Sequence, residues 1–248
     1  MHREAQIALD NDIASRIFIA LDFDDAGAAL RLVDALGESA PSYKIGLQLF
    51  HLAGPSIVDE LHRRGRNVFL DVKFHDIPNT VAGASDSVTR LGVQMFNVHA
   101  AGGYMMMMRA KEAAMNTAAQ IGIVAPLVIG VTQLTSTSQS VMNEQIGVPG
   151  TIEAAVSRYA TLAQQAGLDG VVTSALELPI IQQACGANFV TVVPGIRLSD
   201  GNVHDQARIA TPSEAFARGA SYIVVGRAIT AAQDPVASWQ TLIADIHR

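Results

Sequence analysis

The sequence predicts an α/β fold, a (β/α)8 TIM barrel, and three observations lead to this prediction. Eight short apolar runs alternate with helix-compatible segments along the chain. Runs that are apolar on both faces are typical of a parallel sheet covered by helices. The length of 248 residues also suits one such barrel. A doubly wound open sheet is the structural alternative, although no G-x-G-x-x-G motif follows the first run and the chain has no Walker loop.

The predicted strands are the apolar runs themselves. They cover residues 18–22, 43–47, 68–73, 95–99, 124–131, 170–174, 189–193 and 222–226. Because the strands of a barrel run parallel, their carboxyl ends meet at one face, where barrel enzymes place their active sites. Polar residues at the ends of these runs are therefore the first candidates for a functional role.

Signals for helix starts stand between the predicted strands. Pro78 opens one segment at the position where a missing N–H costs least. Thr211-Pro212-Ser213-Glu214 has the spacing of a capping box, and Asp234-Pro235 repeats the start signal before the last segment. We predict that residues 1–248 form a single barrel domain, with residues 1–16 as an N-terminal extension.

The composition limits the classes of function. A formal net charge of −6 disfavours nonspecific binding of nucleic acid, which needs a basic surface. Cys185 is the only cysteine, so an internal disulfide and a thiolate metal site are excluded. The N-terminal residues lack the order of a signal peptide, and the longest apolar run, residues 121–131, is about half of a membrane span. We expect a cytoplasmic protein that does not bind membranes.

The longest interval between predicted strands contains residues 132–150, which are rich in Thr, Ser, Gln and Gly. A surface insertion is one interpretation of this segment. An active-site lid is the other, because long loops in compact domains often cover sites. The lid is favoured by position, since the loop leaves the carboxyl end of a strand.

Charged residues fall at the carboxyl ends of neighbouring predicted strands. Alternate strand residues share a face, so Asp71 and Lys73 should point into the barrel together. Asp22 ends the first run, Lys44 lies in the second, and Asp76 follows the third. Buried charges are normally paired, and here the signs can balance. A salt-bridge network at the rim would explain the pairing, but an active site also explains why the charges gather at one end.

A second group of residues suits the binding of a phosphate. Pro194-Gly195-Ile196-Arg197 ends the seventh run, and Gly226-Arg227 ends the eighth. Loops after the seventh and eighth strands are the usual phosphate site of this barrel. Glycine lets the backbone approach an oxygen closely, and arginine can make a bidentate contact.

A series of motifs runs from about residue 17 to residue 230. The most prominent is Asp71-x-Lys73-x-x-Asp76, continued by Ile77-Pro78-Asn79-Thr80. The others are Ala20-Leu21-Asp22, Tyr43-Lys44-Ile45-Gly46, residues 131–136, residues 193–197, Asp205-Gln206 and Gly226-Arg227. In these motifs and in their order, the chain resembles the orotidine 5'-monophosphate decarboxylase family. The first motif alone is shared with relatives, whereas the full series is specific.

The resemblance implies a cofactor-free enzyme that converts orotidine 5'-monophosphate to uridine 5'-monophosphate and carbon dioxide. It implies that Lys73 protonates C6 of the pyrimidine and that Asp71 lies against the substrate carboxylate. Lys44 would bridge the carboxylates and contact the ribose, which Asp22 also contacts. Such a role suits Lys73, because a carbanion needs a fixed positive charge and a ready proton.

The resemblance also implies a homodimer with shared active sites and a set of substrate contacts. Asp76 and Thr80 would reach the site of the other subunit, and Thr132 would contact the pyrimidine and ribose from the lid side. The phosphate would be held by Arg197, Gln206, Gly226 and Arg227.

Three alternatives remain beside this interpretation. A metal-dependent sugar-phosphate decarboxylase of the same superfamily would carry an acidic metal ligand where this chain has Lys44, whose charge would repel Mg²⁺. An aldolase would need a neutral Lys73, which flanking aspartates disfavour. A noncatalytic nucleotide-binding barrel would bind uridine monophosphate without turnover.

Overall fold

Parallel strands form a closed barrel in the computed structural model, which describes residues 12–197 and 210–246. The strands are β1 (Ile17–Ala20), β2 (Ser42–Gly46), β3 (Asn67–Phe74), β4 (Met95–His99), β5 (Leu127–Val131), β6 (Gly170–Val172), β7 (Val190–Val193) and β8 (Tyr222–Val225). Each strand pairs with the next, and β8 pairs with β1. The predicted (β/α)8 barrel is confirmed, and the open sheet is wrong.

Helices connect successive strands and cover the outside of the barrel. They are α1 (Ala26–Leu36), α2 (Leu47–Ala53), α3 (Ser56–Arg63), α4 (Pro78–Arg90), α5 (Tyr104–Ile121), α6 (Ile152–Gln165), α7 (Leu178–Cys185), α8 (Pro212–Ala217), α9 (Arg227–Thr230) and α10 (Pro235–Ile246). Among the residues that the structure describes, no helix combines the length and apolar character needed to cross a bilayer.

The helix starts follow the sequence signals. Pro78 is the first residue of α4. At α8, Thr211 and Glu214 form the reciprocal capping box, in which each side chain accepts a hydrogen bond from the other residue's backbone N–H. The carboxylate of Asp234 accepts a hydrogen bond from the N–H of Ala237 at 3.0 Å, at the start of α10. These local contacts satisfy N–H groups that have no partner within their helix.

The first and sixth strands each end two residues earlier than predicted, at Ala20 and Val172. The fifth and third strands show the clearest departures from the predictions. The fifth begins at Leu127 rather than at residue 124, because Gly122 ends α5 in the left-handed conformation and Val124 is 92% exposed. The third strand is irregular against β4. Leu70 is paired with Phe96, whereas Phe74 is paired with Val98, so β3 carries extra residues in between.

The interior of the barrel is filled by apolar side chains below its carboxyl-terminal face. This inner cluster consists of Phe18, Ala20, Phe69, Met95, Ile129, Val192 and Val224. A larger apolar core lies between the strands and the surrounding helices. At the start of β1, the side chain of Arg16 donates hydrogen bonds of 2.9 Å to the carbonyls of Ala220 and Ser221. The rest of the predicted N-terminal extension lies largely outside the described residues.

Candidate active site

Four charged side chains meet at the carboxyl ends of the first three strands. Lys44 Nζ lies 3.1 Å from Asp22 Oδ1 and 3.2 Å from Asp71 Oδ2. Lys73 Nζ lies 2.6 Å from the other oxygen of Asp71. The charges therefore alternate in sign along the chain of contacts from Asp22 to Lys73, as the sequence suggested.

Burial and charge act in opposite directions on the two central members of this cluster. Lys44 is only 7% exposed, and burial alone would lower the pKa of its ammonium. The nearby carboxylates of Asp71 and Asp22 outweigh burial and raise that pKa. Burial alone would likewise raise the pKa of Asp71, but the charges of Lys44 and Lys73 lower it below its ordinary value. Both groups are therefore held in their charged forms.

Gly46 leaves room for this ion pair. A Cβ atom at this position would lie 3.0 Å from Asp22 Oδ1 and 3.2 Å from Lys44 Nζ. These distances are too short for ordinary van der Waals contact, so the absence of a side chain lets the pair pack against β2.

The backbone at Lys73 leaves the extended conformation. Its φ angle of 50° is the only positive value among the non-glycine residues that the structure describes. A left-handed conformation costs a non-glycine residue on the order of 1–3 kcal/mol and persists only where surrounding contacts hold it. The side chains of Asp71 and Lys73 do meet as strand alternation predicts, but Lys73 reaches this position from within the irregular part of β3.

Asn97 is a polar residue of the site that the sequence analysis missed. It lies on β4, is completely buried, and contacts both functional residues of β3. Its amide nitrogen donates to Asp71 Oδ1 at 2.7 Å, and its amide oxygen accepts from the backbone N–H of Lys73 at 2.7 Å. A polar side chain in the middle of an apolar strand was the available signal.

A cavity of about 270 Å³ opens above the inner apolar cluster. Its wall includes Lys44, Asp71 and Lys73 on one side and apolar residues of β6, β7 and β8 on the other. Phe69 of β3 and Val131 of β5 also line the cavity. The remaining lining residues follow the ends of β5, β7 and β8: Gln133, Leu134, Thr135, Ser136, Pro194 and Arg227. An apolar pocket with a few converging polar groups is typical of a small-molecule site.

The loop after β5 contributes to this cavity through residues 133–136. Thr132 itself is buried, and its hydroxyl donates to the carbonyl of Val172 at 3.0 Å. Farther along the loop, the amide nitrogen of Gln139 donates to Asn143 Oδ1 at 2.6 Å and to the carbonyl of Gly150 at 2.7 Å. This loop is therefore stabilised by its own side chains, and its first residues line the cavity.

The predicted phosphate residues have different placements. The side chain of Arg227 lines the cavity, and Gly226 precedes it with open space, since an added Cβ would meet nothing nearer than Ala20 Cβ at 3.8 Å. Arg197 is not among the residues that line the cavity, and its backbone N–H donates to the carbonyl of Ala210 at 3.0 Å. Gln206 lies outside the described residues.

Asp76 and Thr80 lie in a second groove, on the outer side of Lys73. Both residues are exposed, and neither lines the cavity that contains Arg227. The carboxylate of Asp76 accepts a hydrogen bond of 2.6 Å from the backbone N–H of Ile77. The residue Ile77 is itself 66% exposed. Lys73 is the residue that both the groove and the cavity share.

No group of three His, Cys, Asp or Glu side chains suited to a metal ion occurs in residues 12–197 and 210–246. The carboxylates of Asp22 and Asp71 are separated by the ammonium of Lys44. A divalent cation between them would be repelled by that charge.

The sequence and the structure of this chain were compared with those of known proteins. Residues 15–242 match the family described as "Orotidine 5'-phosphate decarboxylase / HUMPS family". The chain is 48% identical over 231 residues to orotidine 5'-phosphate decarboxylase of Moorella thermoacetica, covering 93% of this chain and 92% of the relative. It is 46% identical over 230 residues to the protein of that name from Bacillus cytotoxicus, covering 93% and 96%. The crystal structure of orotidine 5'-phosphate decarboxylase from Lactobacillus acidophilus superposes with a TM-score of 0.83 at 34% identity, over 94% of this chain and 99% of the other.

Proposed function

Because the chain belongs to the orotidine 5'-phosphate decarboxylase / HUMPS family, we propose that its cavity decarboxylates orotidine 5'-monophosphate. The products are uridine 5'-monophosphate and carbon dioxide, in the last step of de novo pyrimidine nucleotide synthesis. The observation that carries the proposal is the cluster of alternating charges formed by Asp22, Lys44, Asp71 and Lys73. The last three of these residues line one wall of the cavity. This cluster combines fixed charges with a proton donor, Lys73, and has Lys44 between the carboxylates of Asp22 and Asp71.

Lys73 is the proton donor in this proposal. When the bond between C6 and the carboxylate breaks, its electron pair stays on C6, in an orbital that the pyrimidine ring delocalises poorly. An ammonium near C6 stabilises that charge and transfers a proton to it, and the lysine then recovers a proton from solvent. The Lys73 side chain is 28% exposed and lines the cavity, so it is open to a ligand while it contacts Asp71.

Asp71 and Lys44 prepare the reacting position. Asp71 is ionised and lies against the substrate carboxylate, while its contact with Lys73 directs the ammonium. Lys44 bridges Asp71 and Asp22 and contacts the ribose together with Asp22. Charges that are fixed before the substrate arrives need no reorganisation during the reaction, which is the main advantage of such a site.

The phosphate and the pyrimidine are held by the loops after β5, β7 and β8. Arg227 lines the same cavity as Lys44 and Lys73, and the space beside Gly226 leaves room for phosphate oxygens. In the proposal, Arg197 and Gln206 complete the phosphate site, and Thr132 contacts the pyrimidine and the ribose from the lid side. Phosphate binding is remote from C6, but its energy assists catalysis when it closes loops over the reacting group.

Asp76 and Thr80 act in the site of a second subunit, and the active enzyme is a homodimer. In support, both residues are exposed in a groove outside their own cavity. Large apolar side chains are exposed at this groove: Leu47 lines it, and Ile77 directly follows Asp76. Apolar surface of this kind is typical of an interface between subunits.

The position of Lys44 distinguishes this reaction from the metal-dependent decarboxylation of a sugar phosphate. Lys44 Nζ lies between the carboxylates of Asp22 and Asp71, within 3.2 Å of each. Magnesium needs oxygen ligands at such a position. The lysine supplies the positive charge there and requires no cofactor.

A cytoplasmic location is part of the proposal. Cys185 is the only cysteine of the chain and is free, which suits a reducing compartment. Detection of the protein in the cytoplasmic fraction of its source cells would support this location, and detection only outside the cytoplasm would contradict it.

The direct test is the decrease in absorbance of orotidine 5'-monophosphate with purified protein in excess chelator. We expect turnover with the chelator present, with release of uridine 5'-monophosphate and carbon dioxide. Turnover that requires added Mg²⁺ would favour the metal-dependent reaction. Tight binding of uridine 5'-monophosphate without turnover would identify a noncatalytic nucleotide-binding barrel.

A further inference from the structure

We propose that Asn97 is a positioning residue that holds Asp71 and Lys73 in their reactive arrangement. The inference rests on the proposed decarboxylase function and adds a residue that touches neither the cavity nor the proton that is transferred. Its basis is the pair of hydrogen bonds from one buried amide to both residues of β3.

The need for Asn97 arises from the register of β3 against β4. Leu70 pairs with Phe96 and Phe74 pairs with Val98, so a single residue of β4, Asn97, lies opposite three residues of β3. The regular ladder of backbone hydrogen bonds is interrupted at this point. Bulges of this kind are common next to active sites, where they redirect a side chain.

The side-chain amide of Asn97 forms hydrogen bonds where the backbone hydrogen bonds between β3 and β4 are interrupted. Its oxygen accepts from the N–H of Lys73, the residue with the positive φ angle, and thereby fixes the backbone from which the ammonium extends. Its nitrogen donates to the same oxygen of Asp71 that accepts from Lys73 Nζ. One side chain therefore determines where the ammonium starts and where its partner lies.

The chemistry of the partners allows one orientation of this amide. An ionised carboxylate only accepts hydrogen bonds and a backbone N–H only donates one, so the nitrogen must face Asp71 and the oxygen must face Lys73. Asn97 is completely buried, and water cannot easily replace either bond. An apolar side chain of similar size would leave the N–H of Lys73 and one acceptor of Asp71 without this partner.

The first test compares Asn97→Leu with a matched control, Thr191→Val. Thr191 is also buried, on β7, and its hydroxyl accepts a hydrogen bond of 3.1 Å from the N–H of Ser221, away from the cavity. We expect Asn97→Leu to lower kcat on the order of 100-fold, because a misplacement of about 1 Å can cost that much. KM and the affinity for uridine 5'-monophosphate should stay near wild type, and Thr191→Val should keep wild-type kcat.

Two outcomes of this comparison would overturn the inference. The first is an Asn97→Leu protein with wild-type kcat. The second is a parallel loss of kcat and of uridine 5'-monophosphate affinity, which would indicate general disruption of the barrel. If the wild-type enzyme itself does not decarboxylate orotidine 5'-monophosphate, the proposed function fails, and the inference fails with it.

Asn97→Asp keeps the inference testable if Asn97→Leu does not fold. A carboxylate at this position would share a proton with Asp71, since two adjacent carboxylates rarely ionise together. In that singly protonated pair the new side chain can still donate to Asp71 and accept from Lys73. We expect the kcat of Asn97→Asp, relative to wild type, to be highest at acidic pH and to fall as pH rises and the shared proton is lost. A ratio that does not change with pH would contradict the positioning role.

Discussion

Asp71 and Lys73 stand two residues apart on one strand, and their side chains meet at an Nζ–Oδ1 distance of 2.6 Å. Asp71 is the more buried partner, with a side chain 14% exposed against 28% for Lys73. The carboxylate is therefore anchored in the wall by Lys44 and Asn97, while the ammonium remains accessible from the cavity. This asymmetry suits a fixed carboxylate beside a proton donor that must reach its substrate.

Replacement of Lys73 by alanine should nearly abolish turnover and leave the fold intact. The substitution removes both the proton and the positive charge at the developing carbanion, so we expect kcat to fall by at least about 10²–10⁴-fold. Steady-state assays with orotidine 5'-monophosphate measure the loss, and circular dichroism checks the fold.

Lys111→Ala is the matched control for Lys73→Ala. Lys111 Nζ forms a partly buried ion pair of 2.6 Å with Asp169, outside the cavity. We expect the Lys111→Ala protein to lose some thermal stability and to keep the wild-type kcat. Substantial turnover by Lys73→Ala would remove that residue from the role of proton donor.

The lowered pKa of Asp71 predicts how stability depends on pH. A carboxylate with a lowered pKa in the folded state stabilises the fold above the ordinary aspartate pKa of about 3.9, and this contribution is lost as pH falls through the folded value. In urea unfolding at several acidic pH values, Asp71→Asn should therefore show a weaker decrease of the unfolding free energy with falling pH than wild type.

Asp34→Asn provides the comparison for that titration. The pKa of Asp34 is also lowered, chiefly by its hydrogen bond with Arg64, but its side chain is 58% exposed. Solvent screens such exposed ion pairs. Asp34→Asn should therefore change the dependence of the unfolding free energy on pH less than Asp71→Asn does. If the unfolding free energy of Asp71→Asn fell with decreasing pH as steeply as that of wild type, the stabilising role of the buried carboxylate would be contradicted.

The sequence predicted the barrel well because its signals are local. Apolar runs, Pro78 and the capping box of α8 each depend on a few neighbouring residues. The charged cluster was also foreseeable, because parallel strands bring their carboxyl ends together whatever the details of packing.

Features that depend on two segments at once could not be predicted. The irregular register of β3, and with it the positive φ of Lys73, results from pairing with β4. The contacts of Asn97 depend on that same register. The packing role of Gly46 appears only when Asp22 and Lys44 are brought together across strands.

Arg227→Ala should chiefly weaken binding of the phosphorylated substrate. A charge-assisted contact with phosphate is worth more than a neutral hydrogen bond, so we expect KM to rise by about 10- to 100-fold. Binding of uridine 5'-monophosphate should weaken, whereas binding of uridine, which lacks the phosphate, should not. Arg31→Ala, in an ion pair whose arginine is 74% exposed, is the control. Unchanged kcat and KM in Arg227→Ala would refute the phosphate assignment.

Gly46→Ala should impair catalysis through the ion pair between Asp22 and Lys44. The added Cβ would lie 3.0 Å from Asp22 Oδ1 and 3.2 Å from Lys44 Nζ, and Lys44 is too buried to move freely. We expect a lower kcat/KM, measured with orotidine 5'-monophosphate. Gly27→Ala is the control, because its Cβ would meet the exposed side chains of Arg31 and Asp25 at 3.3 Å, which can shift. Equal activity in both variants would contradict the tight packing at Gly46.

Mixing Lys73→Ala with Asp76→Ala should restore activity that neither variant has alone. If Asp76 serves the neighbouring subunit, a heterodimer has one site with both substitutions and one with neither, so random exchange should recover about a quarter of wild-type activity. Mixing Lys73→Ala with Asp71→Ala is the control. These two residues contact each other within one subunit, so every site of that heterodimer carries a defect and no recovery is expected. Absence of recovery in the first mixture, with subunit exchange verified by mass spectrometry, would contradict a shared active site, because Asp76 would then act beside its own Lys73.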